Sequence, residues 1–263
     1  MGFTALCFIW LVPLAVSLKV TCNYQIITWS FIKDHYQCHI TELRVKTPDE
    51  VVESILGEHL PGNTANDVKS IHIDNQICMF MPHHFESFFK KIEGLQISGS
   101  NLETISQDDL KQFPNLKQLI LNDNEIIELS ANLFEFNPKL ICVDFTNNNI
   151  HLIPENIFSK LEKLENVVLV DNICINKSGY GKDGIQEVVQ EIIASCHANN
   201  TELFEVDYAV NVTEINIPEP HVTSPEAAHV QHEHDKKEHT KAEKAANRKF
   251  ANKRKSKNHW ANG

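Results

Sequence analysis

Leu116-Lys117-Gln118-Leu119-Ile120-Leu121-Asn122-Asp123-Asn124-Glu125-Ile126 decides the reading of this chain. Leu119 and Leu121 are two residues apart, the period of a short strand with one buried face. Asn124 follows where the chain must leave the strand, and its side-chain amide can pair with backbone groups of that turn. The same pattern recurs every 24 residues. Val68, Ile92, Leu116, Leu140 and Leu164 start five copies. Ile71, Leu95, Leu119, Val143 and Val167 follow three positions on, then Ile73, Ile97, Leu121, Phe145 and Leu169. The turn position holds Gln76, Ser100, Asn124, Asn148 and Asn172, so the first two turns are expected to be less regular. Cys78, Leu102, Ile126, Ile150 and Cys174 complete the motif. Five copies in one register predict stacked coils whose apolar faces merge into one core.

The remainder of each copy predicts the opposite side of the coil. Met81, Ile105, Leu129 and Ile153 should point inward, as should Leu110, Phe134 and Phe158, on short helices or 3₁₀ turns. Pro82 and Pro154 are placed to start those turns. The fold class is therefore α/β: a right-handed solenoid with a short parallel sheet on its concave face and short helices and loops on its convex face.

Region 68–173 resembles the leucine-rich-repeat superfamily in its 24-residue extracellular form. Cys22 and Cys38 flanking Trp29, the stretch from Gly57-Glu58-His59 to Asn66-Asp67-Val68, and Phe88-Phe89 also resemble small insect extracellular leucine-rich-repeat proteins. The resemblance implies non-catalytic recognition outside the cell through the concave face. The residues it assigns there are His72, Asp74, Gln96, Ser98, Gln118, Ile120, Asn122, Asp144, Thr146 and Val168. Asp74, Asp123, Asp144 and Asp171 give that surface an acidic cast, which suits a basic or polar partner.

An apolar run from Phe3 to Val16 ends in Ala15-Val16-Ser17, the pattern of a signal peptide over 1–17, with no later run of membrane-spanning length. Residues 18–67 are expected to form an N-terminal cap, with strands at Gln25–Trp29 and Tyr36–Ile40 that Cys22 and Cys38 could close. Thr47-Pro48-Asp49-Glu50 reads as the start of a helix ended by Gly57. Ile185, Val188, Val189, Ile192 and Ile193 have helical spacing in a C-terminal cap over 174–197. Cys174 and Cys196 are expected to pair there; this resembles the family's cap, which usually carries four cysteines.

Cys78 and Cys142 lie three coils apart, about 14 Å, beyond the roughly 7 Å Cα limit of a bridge. Cys78 reads as a buried thiol or an alternative partner for Cys22 or Cys38. Cys142 reads as a shielded thiol or, alternatively, as the link of a homodimer in a self-associating structural or scaffold glycoprotein. Asn176, Asn199 and Asn211 head glycosylation sequons.

The formal charge is −11, although Glu219–Gly263 holds ten Lys/Arg against six Asp/Glu. An acidic body argues against nucleic-acid binding. Residues 198–263 read as a disordered His/Lys-rich tail. His229, His232, His234 and His239 lack a fixed ligand geometry, so no metal site and no cofactor are expected. The sequence has no G-x-S-x-G, H-E-x-x-H, phosphate loop or C-x-x-C pair, and an enzyme is not expected. The partner implied is an extracellular protein or glycoconjugate.

Overall fold

The computed structural model describes residues 17–197. Most of the proposed signal peptide, Asn199, Asn211 and the His/Lys-rich tail lie outside them.

The five copies each supply one strand: β5 (Val68–Asp74), β7 (Gly94–Ser98), β8 (Gln118–Ile120), β9 (Cys142–Asp144) and β10 (Asn166–Val168). They pair in parallel and in the expected register: Ile71 opposite Leu95, Leu95 opposite Leu119, Leu119 opposite Val143, and Val143 opposite Val167. The inward Leu, Ile, Val and Phe of all copies form one continuous buried core. At about 25 cal/mol per Å² of apolar surface buried, that stacking is the dominant favourable contribution to the fold.

Each strand ends in a left-handed residue: Asn75, Gly99, Asp123, Asn147 and Asp171 have φ between 53° and 58°. Asn and Asp tolerate this conformation better than other side-chain-bearing residues. The next residue then satisfies the turn. Asn124 Oδ1 accepts from the backbone N–H groups of Ser100 and Leu102, and its Nδ2 donates to the carbonyls of Ile97 and Leu121. Asn148 and Asn172 repeat the arrangement one and two coils on. The substituted turns keep its function. Gln76 Oε1 accepts from Leu43 N, and Ser100 Oγ donates to the Ser98 carbonyl.

On the convex side, Met81, Ile105, Leu129 and Ile153 are buried with Leu110, Phe134 and Phe158. Helices form only in the first two copies, as α1 (Phe85–Phe88) and α2 (Gln107–Leu110). The later copies have hydrogen-bonded turns there. Pro154 starts such a turn, its carbonyl accepting from Ile157 N. Pro82 does not start α1: the residue before that helix is His84, in the left-handed region at φ 75°.

The N-terminal cap extends the sheet. β1 (Ser17–Ile27) and β2 (His35–Glu42) form an antiparallel hairpin, longer than expected, and β2 pairs in parallel with β5. Cys22 and Cys38 are disulfide-bonded across it. A small second sheet joins β3 (Arg44–Val45) to β6 (Ile77–Cys78).

The helix expected after Thr47 is a strand, β4 (Val51–Leu56), parallel to β1. The capping chemistry exists: Glu50 Oε1 accepts from the backbone N–H groups of Lys46 and Thr47. It closes a turn rather than a helix, because the open edge of β1 offers Val51, Val52 and Ile55 a strand ladder, which β-branched residues favour. Gly57 ends β4 at φ 125°, where a Cβ would lie 2.2 Å from the Cys22 carbonyl oxygen.

At the far end β11 (Ser178–Tyr180) turns back antiparallel to β10, and α3 (Gly181–Ser195) covers the last coil. Val188 and Ile192 are buried, while Ile193, expected inside, is exposed. Cys174 and Cys196 are disulfide-bonded.

Replacing Asn124 with Ala strands buried backbone groups of neighbouring turns. We expect a loss of about 3 kcal/mol, measured by chemical denaturation.

Candidate functional site: the concave face

Outward side chains of the parallel strands fall in three columns along the concave face, one for each outward position of the repeat. The first runs Gln37, Ser70, Gly94, Gln118, Cys142 and Asn166, and it is buried as far as Cys142. Gln118 was expected among the contact residues, yet it is only 4 % exposed. The loop between β1 and β2 lies over this column at Gly94. A Cβ on Gly94 would meet the Trp29 ring at 2.4 Å and Ile32 Cδ1 at 2.9 Å. The missing side chain of Gly94 therefore makes the seat for Trp29 and Ile32.

His35 holds the loop from beneath. Its Nδ1 donates to the Ile32 carbonyl, and Trp29 meets its ring edge-on at 5.3 Å. Burial pushes the His35 pKa below its ordinary value, against the opposing pull of that hydrogen bond. Its Nε2 and Gln118 Oε1 are buried without a hydrogen-bond partner among the described residues.

The second column runs His39, His72, Gln96, Ile120, Asp144 and Val168; the strand register aligns them, and Ile120 and Val168 are partly buried. At its N-terminal end His39 and His72 stack with ring centroids 4.7 Å apart. His39 Nε2 donates to Asp74 Oδ1 at 2.6 Å, and Asn75 Nδ2 donates to Asp74 Oδ2 at 2.9 Å. Burial opposes ionisation of Asp74, but these hydrogen bonds outweigh it and hold the carboxyl below its usual range. Burial, then the adjacent His39, lowers the pKa of His72, with Asp74 pulling the other way.

The third column is a polar rim. Gln96 Nε2 donates to Ser98 Oγ, Ser98 Oγ to Asn122 Oδ1, and Asn122 Nδ2 to Asp123 Oδ2. Asn147 continues this chain to Asp123, and Asp144 Oδ1 accepts from Thr146 N. The rim is thus a coupled ladder of amides and carboxylates rather than independent solvated groups. Sequence reading named most of its members. It missed His39, since nothing local tells that β2 lies beside β5.

Cys78 and Cys142 are free and buried, Cys142 being 4 % exposed. Burial pushes both thiols up to about 12, with Glu50 adding to the effect at Cys78 and Asp144 at Cys142. A thiol so placed cannot reach a second chain without opening the first column. Asn176 is exposed, its Oδ1 accepting from Asp171 N.

Residues 87–194 match the family model described as leucine-rich repeat. This match and the stacked parallel strands give the described residues a leucine-rich-repeat fold. Among the chain's relatives are the U2 small nuclear ribonucleoprotein A′ of Arabidopsis thaliana and the human leucine-rich repeats and immunoglobulin-like domains protein 3. The first is 33 % identical over 34 % of this chain and 39 % of its own length. The second is 29 % identical over 59 % of this chain and 14 % of its own length. The chain thus spans well under half of either relative. The solved LRIM1/APL1C complex contains a chain that is 17 % identical, with a TM-score of 0.40 over 57 % of this chain and 31 % of that one. No helix among the described residues is long and apolar enough to cross a membrane.

Two predictions follow from the covered column. Gly94→Ala should cost about 1–3 kcal/mol by chemical denaturation, and much less in a Trp29→Ala background, since the added methyl group clashes mainly with that ring. Alkylation followed by peptide mapping should leave Cys78 and Cys142 unlabelled in the native chain and label both after unfolding.

Proposed function

We propose that this chain is a secreted, non-enzymatic binding protein that recognises an extracellular protein or glycoconjugate through the second and third columns of its concave face. The observation that carries the reading is the contrast between columns. The first is buried from Gln37 to Cys142, with the Trp29 loop seated on Gly94, whereas Gln96, Ile120, Asp144 and Val168, with the rim at Ser98, Asn122 and Thr146, remain partly accessible. Polar groups fixed by their own hydrogen bonds lose little freedom on binding, which favours affinity.

The two disulfides support an oxidising compartment, since such bonds are rare in the cytosol. The amino-terminal apolar run and the exposed sequon at Asn176 agree with that address. Asp74, Asp123, Asp144 and Asp171 favour a partner with basic or polar groups. The chemistry of the face is recognition: its carboxylates and amides serve the ladder, and no activated nucleophile stands among the concave residues described.

The test is affinity capture from native extracellular fluid with the full chain, beside an Ile120→Arg/Asp144→Lys variant whose fold is checked by circular dichroism. A partner retained by the first and lost by the second is expected. Equal capture by both would remove the concave face from the proposal.

A further inference from the structure

We propose that His39, His72 and Asp74 form a binding site for a divalent transition-metal ion, zinc in the first instance, at the N-terminal end of the concave face. The site goes beyond the proposed recognition of a partner and does not depend on it.

Strand pairing creates the constellation. His39 and His72 are opposite one another in β2 and β5, and Asp74 lies two residues beyond His72, on the same face of the sheet. One ligand atom from each residue lies within 4.8 Å of the others. Ligands of a tetrahedral zinc ion, held at about 2.0–2.1 Å from the metal, are about 3.3 Å from each other. Here His39 Nε2 and His72 Nε2 lie 2.6 and 3.8 Å from the same Asp74 oxygen. The two distances bracket that value.

The donor set suits the ion. Two imidazoles and a carboxylate match zinc and its neighbours better than calcium or magnesium, which favour all-oxygen sites. The two rings stack at an interplanar angle of 18° beside Asp74. His72 Nε2 makes no hydrogen bond among the described residues, and at 3.8 Å from the carboxylate it has no other settled role. Asn75 holds the second oxygen of Asp74 and so orients the carboxylate from outside, as supporting residues do at metal sites.

His39 currently donates its Nε2 proton to Asp74. An arriving ion displaces that hydrogen bond: the Nε2 proton leaves to water while Nδ1 takes one up from water, so the ring stays neutral and presents the Nε2 lone pair to the ion. The three side chains remain 20–33 % exposed, which leaves a fourth coordination position open to water or to a group of a bound partner.

The test is calorimetric titration of the full chain with zinc chloride. The chain carries His221→Ala, His229→Ala, His232→Ala, His234→Ala, His239→Ala and His259→Ala to remove competing tail imidazoles. Uptake of one equivalent is expected, weakened at least ~10-fold by His72→Gln and likewise by Asp74→Asn. Circular dichroism checks both folds. If either substitution disrupts the fold, cobalt(II) added to the tail-substituted chain decides instead: an intense visible band of a four-coordinate site, removed by zinc, supports the proposal. No zinc uptake, no such band, or uptake unchanged by both substitutions would overturn it.

Discussion

Leaving a strand every 24 residues without stranding peptide groups is the constraint on which this molecule rests. Each coil must turn sharply at a point where the next coil presses against it, so water cannot serve the exposed N–H and C=O groups. The buried amides of Asn124 and Asn148 meet that demand by bonding both to their own turn and to the coil before it. A side chain that does this also fixes the spacing between coils. The register of the sheet, and hence which residues share a column on the concave face, follows from it.

The N-terminal cap does more than shield the apolar end. β2 is a further rung of the same sheet, so the concave face begins within the cap rather than at Val68. This is why His39 meets His72 and why Gln37 Nε2 reaches Ser70 Oγ. The cap also takes surface away, because its loop seats on Gly94 in the column that also holds Gln118 and Cys142. The same element therefore lengthens one column and covers part of another.

The five-fold repeat was legible because period and chemistry coincide: Leu119 and Leu121 alternate, and Asn124 follows where the turn needs it. The Cys174–Cys196 pair was legible from the elements it joins, whereas Cys22–Cys38 was one of the pairings that Cys78 left open. The strand at Val51–Leu56 was not, because Thr47 and Glu50 make the local hydrogen bonds of a helix start, while the edge of β1 that competes for these residues is remote in sequence. Burial of Gln118 was equally hidden. Its position in the repeat is outward, and the loop of Trp29 and Ile32 that seats on Gly94, one rung before it, lies far earlier in the chain. Sequence periodicity reports what a residue does within its own coil; it is silent on what another element lays across it.

Trp29 belongs to the cap, whereas Gly94, the residue beneath it, belongs to the second coil, with β5 between them. This clasp makes the solenoid unequal in its tolerance of growth. An extra coil inserted after the third repeat would meet only nearest-neighbour bonds like those already present. The same coil inserted between the first and second would carry Gly94 one rung away, about 4.8 Å, and put a side chain under the indole. Lengthening by duplication is thus open toward the carboxyl end of the array and barred at its start, which ties the cap and the first two coils into one inherited block.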